Sequence, residues 1–137
     1  MHEEPSSRGM PAIIVSELDQ QRLSGLAAAA VERMPDVADD LLAEMERATV
    51  VPADELPQNV VRMGSSVEFE SDDGRRRHVR LVFPNEADIA KGQISILTPI
   101  GAALIGLSEG QSIMWTTRDG RDRKLTVLSV RNMAASR

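Results

Sequence analysis

The sequence predicts an α+β protein: an N-terminal antiparallel helical hairpin, a short coiled coil, followed by a C-terminal antiparallel sheet with one short helix. Three observations predict it. Apolar residues recur with a period near 3.6 as far as Ala48, and beyond Gln58 they alternate with a period of 2. Between the two regimes lies the Pro-flanked polar stretch VPADELPQ at 51–58. The expected organisation is a disordered tail at 1–12, a helical hairpin at 13–50, a linker at 51–58, a sheet domain at 59–132 and a tail at 133–137.

Ser16 opens the first helix, with Asp19 three residues on as a weaker form of the capping box. Leu23, Leu26, Ala27, Ala30, Val31 and Met34 form one apolar stripe, and Pro35 is expected to stop the helix near Arg33. Asp36 is placed to cap the second helix, whose stripe is Val37, Leu41, Leu42, Met45 and Ala48. At 1.5 Å per residue such a hairpin is about 20 to 25 Å long. Neither helix is stable alone at that length, so the stripes must pack together.

In the second half Met63, Val67 and Phe69 alternate with polar residues up to the turn Asp72-Asp73-Gly74, and Val79, Leu81 and Phe83 line the returning strand. Residues 85–92 read as a polar loop and 93–97 as a short third strand. Thr98 then caps a short helix with Pro99 at its first position and Gly106 at its end, and Ile100, Leu104 and Leu107 are expected to pin it to the sheet. A last hairpin, 112–117 and 123–130, turns at Asp119-Gly120. A change of inward residues from Leu125 and Val127 to Leu128 and Val130 points to a bulge. Leu104 and Trp115 are expected in the core.

At 137 residues, 42% hydrophobic and 27% charged, the composition suits one soluble globular domain. Having no Cys excludes disulfide scaffolds and thiolate metal sites, and the two His residues leave a zinc centre or Ser-His-Asp triad resting on His78. His78 itself reads as an ordinary strand residue. There is no glycine-rich phosphate loop. The leader has neither a basic start nor an apolar core, and no run approaches the roughly 20 residues that span a membrane, so a cytoplasmic protein is expected.

Charge is divided unevenly. Residues 1–57 carry 12 acidic and 4 basic side chains, whereas 58–137 carry 9 acidic and 12 basic. This is not the pattern of a free-standing DNA binder, and three aromatic residues are too few for a base-stacking surface. The arginines of the hairpin turns, Arg75, Arg76 and Arg77 with Arg80, and Arg118, Arg121 and Arg123 with Lys124, fit two readings equally. They protect sheet edges from pairing, or they form a patch facing acidic protein or nucleic acid. Asp36, Asp39 and Asp40 at the hairpin tip are accounted for by capping and the helix dipole, and also suit oxygen ligation of a Mg²⁺ held elsewhere.

The stretch PNEADIAKGQISILTPIGAALIGLSEG, Pro84 to Gly110, resembles the C-terminal domain of the Gre transcript-cleavage factors. Within it ISILTPIGAALIGL is similar to the family pattern IS-x-x-[ST]-P-x-[GA]-x-[AG]-L-[IL]-G. Met63-Gly64-Ser65, the Asp-Gly hairpins and Trp115 fit as well. The opening IIVSELDQQRL and the connector ELPQNVVRM resemble the Rnk branch, the regulators of nucleoside diphosphate kinase, and the likeness spans 12–131.

The resemblance implies an FKBP-like C-terminal domain on the rim of the RNA polymerase secondary channel, with the hairpin pointing into it. Thr98 and Pro99, with Ile100 as a hydrophobic neighbour, are the polymerase-binding residues it implies; some Gre members carry an acidic residue where this chain has Leu97. Gre hairpins are about twice as long, and their tip carboxylates help bind a second Mg²⁺. A hairpin of about 20 to 25 Å resembles the Rnk kind, too short for that, so no catalytic residue, metal ligand or cofactor is assigned. Proline isomerisation is not implied either. The expectation is therefore a non-enzymatic, monomeric transcription regulator that binds RNA polymerase and competes with Gre-type factors without stimulating cleavage. No sequence-specific nucleic acid and no membrane is expected as a partner. The alternatives are a Gre-like cleavage factor, or a regulator of nucleoside diphosphate kinase acting directly or through transcription.

Overall fold

A computed structural model describes residues 11–116 and 119–132. The expected C-terminal tail, most of the N-terminal one, Thr117 and Arg118 lie outside the described residues. The chain begins with strand β1 (Ile14–Ser16), which runs directly into helix α1 (Glu17–Ala30). Ser16 caps α1 as expected, its hydroxyl accepting from the Asp19 amide at 3.1 Å. Leu23, Ala27 and Ala30 are buried, while Val31, beyond the last helical turn, is 38% exposed.

Helix α2 (Pro35–Arg47) starts two residues earlier than a cap at Asp36 predicts. Its N-cap is Met34, which supplies no side-chain bond, and Pro35 takes the first helical position, where its missing N–H has no intrahelical partner to lose. Ala38, Leu41 and Met45 turn inward against α1.

Strand β2 (Thr49–Val51) then returns to pair in parallel with β1. The sequence reading missed both strands, because three residues carry no measurable period. They tie together the two ends of the helical segment. Leu56, inside the stretch read as a polar linker, is buried.

The main sheet holds β3 (Ser66–Ser71), β4 (Arg76–Val82), β5 (Gln93–Ser95), β6 (Ser112–Thr116) and β7 (Asp122–Arg131), in the order β5-β4-β3-β7-β6. It is not wholly antiparallel as expected. β5 lies parallel to β4, because two 3₁₀ turns at Pro84–Glu86 and Ile89–Lys91 carry the chain across before it pairs. The expected bulge is present: Phe69 pairs with Val127 and Glu68 with Ser129, leaving Leu128 without a partner. Val130, not Leu128, therefore joins Leu125 and Val127 inside.

Helix α3 (Pro99–Leu104) lies between the sheet and α2. One continuous hydrophobic cluster takes in β1, α1, α2, α3 and the inner face of the sheet. Leu104 is fully buried. Trp115, expected in the core, is only half-buried, because β6 is an edge strand with no neighbour beyond it.

Candidate docking site

The start of α3 is built by its own sequence. Thr98 uses its hydroxyl twice, accepting from the Gly101 amide at 3.1 Å and donating to the Ser95 carbonyl at 2.7 Å. A Cβ on Gly101 would stand 2.4 Å from that carbonyl and 3.0 Å from the Ile96 Cα, so only glycine lets the first turn close over β5. Gly101 was not singled out from the sequence. Its signal is a glycine inside a short helix, which needs a packing reason to offset its poor propensity. With Thr98 engaged internally, Pro99 is the part of this segment that lines open grooves, and Ile100 packs half-buried against the core.

The acidic residues of α2 come to the same place. Asp36, Asp39 and Asp40, all exposed, line a groove of about 590 Å³ together with Met34, Pro99 and Thr116. A second hollow of about 220 Å³ continues from Asp40 and Pro99 over Ala102 and Ala103 to Met114 and Trp115. The sequence placed the carboxylates at the tip of the helical hairpin. The structure folds them against the start of α3, because α2 must bury Ala38, Leu41 and Met45 in the shared cluster.

Crowding changes two of the carboxyls. Packing around Asp40 raises its pKa above the usual carboxylate range, and the charges of Asp36 and Asp39 add to this. Burial likewise raises Glu44, against the opposing pull of Arg47, whose guanidinium lies 2.7 Å from it. Arg47 also donates to the Pro11 carbonyl. Among the described residues no group of His, Cys, Asp and Glu is arranged to hold a metal ion.

The orientation of α1 against the sheet is held by Asp19, buried though charged. Its carboxylate accepts from the Met63 amide at 3.2 Å and pairs with Arg22 at 2.9 Å. The Arg22 guanidinium in turn lies 4.9 Å from the centre of the Phe83 ring. His78 is an exposed residue of β4 facing Glu68 across the ladder.

Residues 56–132, more than half of the chain, match the family model described as transcription elongation factor GreA/GreB, C-terminal; residues 11–51 match the one described as Rnk N-terminus. The chain belongs to the Rnk branch of the Gre transcription elongation factor family. It is 37% identical over 121 residues to the regulator of nucleoside diphosphate kinase of Escherichia coli K12, covering 88% of this chain and 89% of that one. A GreA of Nitratidesulfovibrio vulgaris is 38% identical over 78 residues, which is 56% of this chain and 49% of the relative. Among solved structures, a GreA/GreB elongation factor from Nitrosomonas europaea superposes with a TM-score of 0.70 at 36% identity, covering 87% of this chain and 98% of the other. The Gre-family match takes in the whole α3 segment and the hairpins around it. The match to the Rnk N-terminus takes in α1 and α2, which carry the acidic side of the groove. Among the described residues no helix is long and apolar enough to cross a membrane.

Proposed function

We propose that the chain is a non-enzymatic transcription regulator that binds RNA polymerase at the rim of the secondary channel through Pro99 and its flanking residues. There it competes with Gre-type factors without stimulating transcript cleavage. The observation that carries this reading is the groove in which Pro99 of the Gre segment meets Asp36, Asp39 and Asp40 of the short helices. With 14 and 13 residues, α1 and α2 are only about 20 Å long. Their carboxylates belong to the docking surface rather than to an arm that reaches beyond it. The sheet with α3 on one face suits an FKBP-like module acting as the platform for that contact.

The test is binding to core RNA polymerase, alone and against a Gre factor, with wild type and Pro99→Ala. Saturable binding that the Gre factor displaces, weakened about tenfold by Pro99→Ala, is expected for a central anchor. Absence of binding overturns the reading. So does faster cleavage in a backtracked complex that is abolished by Asp36→Ala with Asp39→Ala, the mark of a Gre-like cleavage factor. The printed name of the Escherichia coli relative supports a second reading, direct regulation of nucleoside diphosphate kinase. Direct association of the two purified proteins is its measure; a change in kinase level without association assigns the effect to transcription.

A further inference from the structure

The hairpin arginines left open by the sequence form a second surface. The turns after β3 and β6 lie at one end of the sheet, and Asp72 locks them together. Its amide donates to the Lys124 carbonyl at 2.9 Å, and its carboxylate accepts from the Lys124 amide at 3.2 Å and from Arg123 at 3.3 Å. Strand alternation puts Arg77 on the face of Phe69, and Arg123 beside Trp115. This is the inner face of the sheet, beyond the cover of α3. The result is a cleft of about 560 Å³ lined by Arg75, Arg76, Arg77, Arg123, Asp73 and Trp115.

Four arginines face one lining carboxylate, so the cleft is strongly positive. Asp73 lies 3.9 Å from Arg75 and 3.8 Å from Arg123, and Asp72 lies 3.3 Å from the same Arg123 nitrogen, which orients that guanidinium in advance. Arg76 and Arg77 have no ion-pair partner among the described residues. β5 pairs with β4 only at Arg80–Val82, so Arg76 and Arg77 stand on an open stretch of β4, but edge protection does not require Arg77 to share a cleft with Arg123 of a separate hairpin.

We propose that this cleft is a binding site for an acidic segment of a partner protein, whose carboxylates are taken by Arg77 beside the preoriented Arg123. Guanidinium forks match carboxylates two bonds at a time, and the pairs with Asp72 and Asp73 show Arg123 already holding that group. Two features favour a protein segment over a nucleic acid. Trp115 is the one aromatic residue lining the cleft, where strand binders use successive stacking platforms. Beyond Trp115 and Thr116 the surface turns acidic, at Asp36, Asp39 and Asp40, so a long polyanion meets repulsion there.

The chain's one tryptophan lines the cleft, so its fluorescence reports occupancy directly. Wild-type protein is titrated with a blocked oligoglutamate peptide, a single-stranded oligoribonucleotide and inorganic phosphate at equal ionic strength. The expected result is a saturable, salt-sensitive Trp115 shift with oligoglutamate. Arg77→Ala should weaken it about tenfold and Arg77→Lys by less, because Lys keeps the charge but loses the fork. Arg131→Ala, at the other end of β7, should leave it unchanged. Arg77 is exposed, and an unchanged melting temperature of its variants shows that they fold. No shift with the peptide, equal binding by Arg77→Ala, tighter binding of the oligoribonucleotide, or phosphate binding as tight as the peptide each overturns the proposal. None of these outcomes depends on polymerase.

Discussion

The two sides of Trp115 are built by different physics. On one side α2 meets α3, whose Leu104 is fully buried, and carboxylates line a groove against Pro99. On the other, two hairpin tips are tied by the hydrogen bonds and ion pairs of Asp72, and arginines surround an open cleft. The glycines show the contrast most directly. Gly106 and Gly74 share a positive φ, +83° and +84°, yet a Cβ on Gly106 would lie 2.9 Å from the Ile13 Cβ, whereas one on Gly74 would meet nothing within 4 Å. On the helical side backbone conformation and packing are one constraint. At the hairpin tips only the conformation matters, and charge does the rest.

The largest effect is expected where packing rules. Leu104→Ala should destabilise by about 2–5 kcal/mol, since the surrounding cluster leaves the cavity little room to collapse; chemical denaturation measures it. Gly106→Ala should follow at about 2–4 kcal/mol, strain and overpacking combined. Gly74→Ala should lose only about 1 kcal/mol for the left-handed backbone. Equal effects at the two glycines would erase the contrast, because they would mean that β1 does not press on Gly106.

The carboxylates sharpen it next. Asp40 has a raised pKa in the folded chain, chiefly from burial and then from Asp36 and Asp39, so its ionisation opposes folding above the folded value and has no effect in acid. Asp40→Asn should therefore raise Tm at neutral pH and leave it unchanged once the carboxyl is protonated. Asp72 has a lowered pKa, chiefly from the Lys124 amide and then from Arg123. Its contribution is present above the unfolded carboxylate value and disappears as pH falls through the folded one, so Asp72→Asn should lower Tm at neutral pH and matter little in acid. Shifts of the same sign would contradict the division. The smallest effect is expected at Arg76, an exposed residue near the turn, where Ala should change stability by under about 0.5 kcal/mol.

The elements that sequence reading located correctly are those whose cause is local. Ser16 and Thr98 cap the helices they precede, and the two hairpins turn at their Asp-Gly pairs. Thr98 and Pro99 were likewise legible as a helix start, because a Thr-Pro pair before an apolar run is one on its own terms, whereas their docking role was implied only by the resemblance to Gre factors. What was misread depended on distant partners. The parallel pairing of β1 with β2, the parallel setting of β5 and the half-burial of Trp115 are decided by which strand lies alongside, and three or five residues do not encode that. Gly101 looked replaceable until Ser95 and Ile96 came within reach of its missing side chain.

By itself the sequence determined an α+β chain with helices first and sheet after, an acidic first part and a more basic second, and a short helix opened by a capped proline. Those are properties of neighbours within a few residues, set by propensity, capping and alternation. Tertiary structure decided that the acidic helix end lies against Pro99 and that the arginines of two separate hairpins share one cleft. Both arise because the apolar stripes of α1 and α2 and the inner face of the sheet bury one another in a single cluster. Burial of that stripe brings Asp36, Asp39 and Asp40 to α3, and the pairing of β3 with β7 brings Arg123 to Arg77.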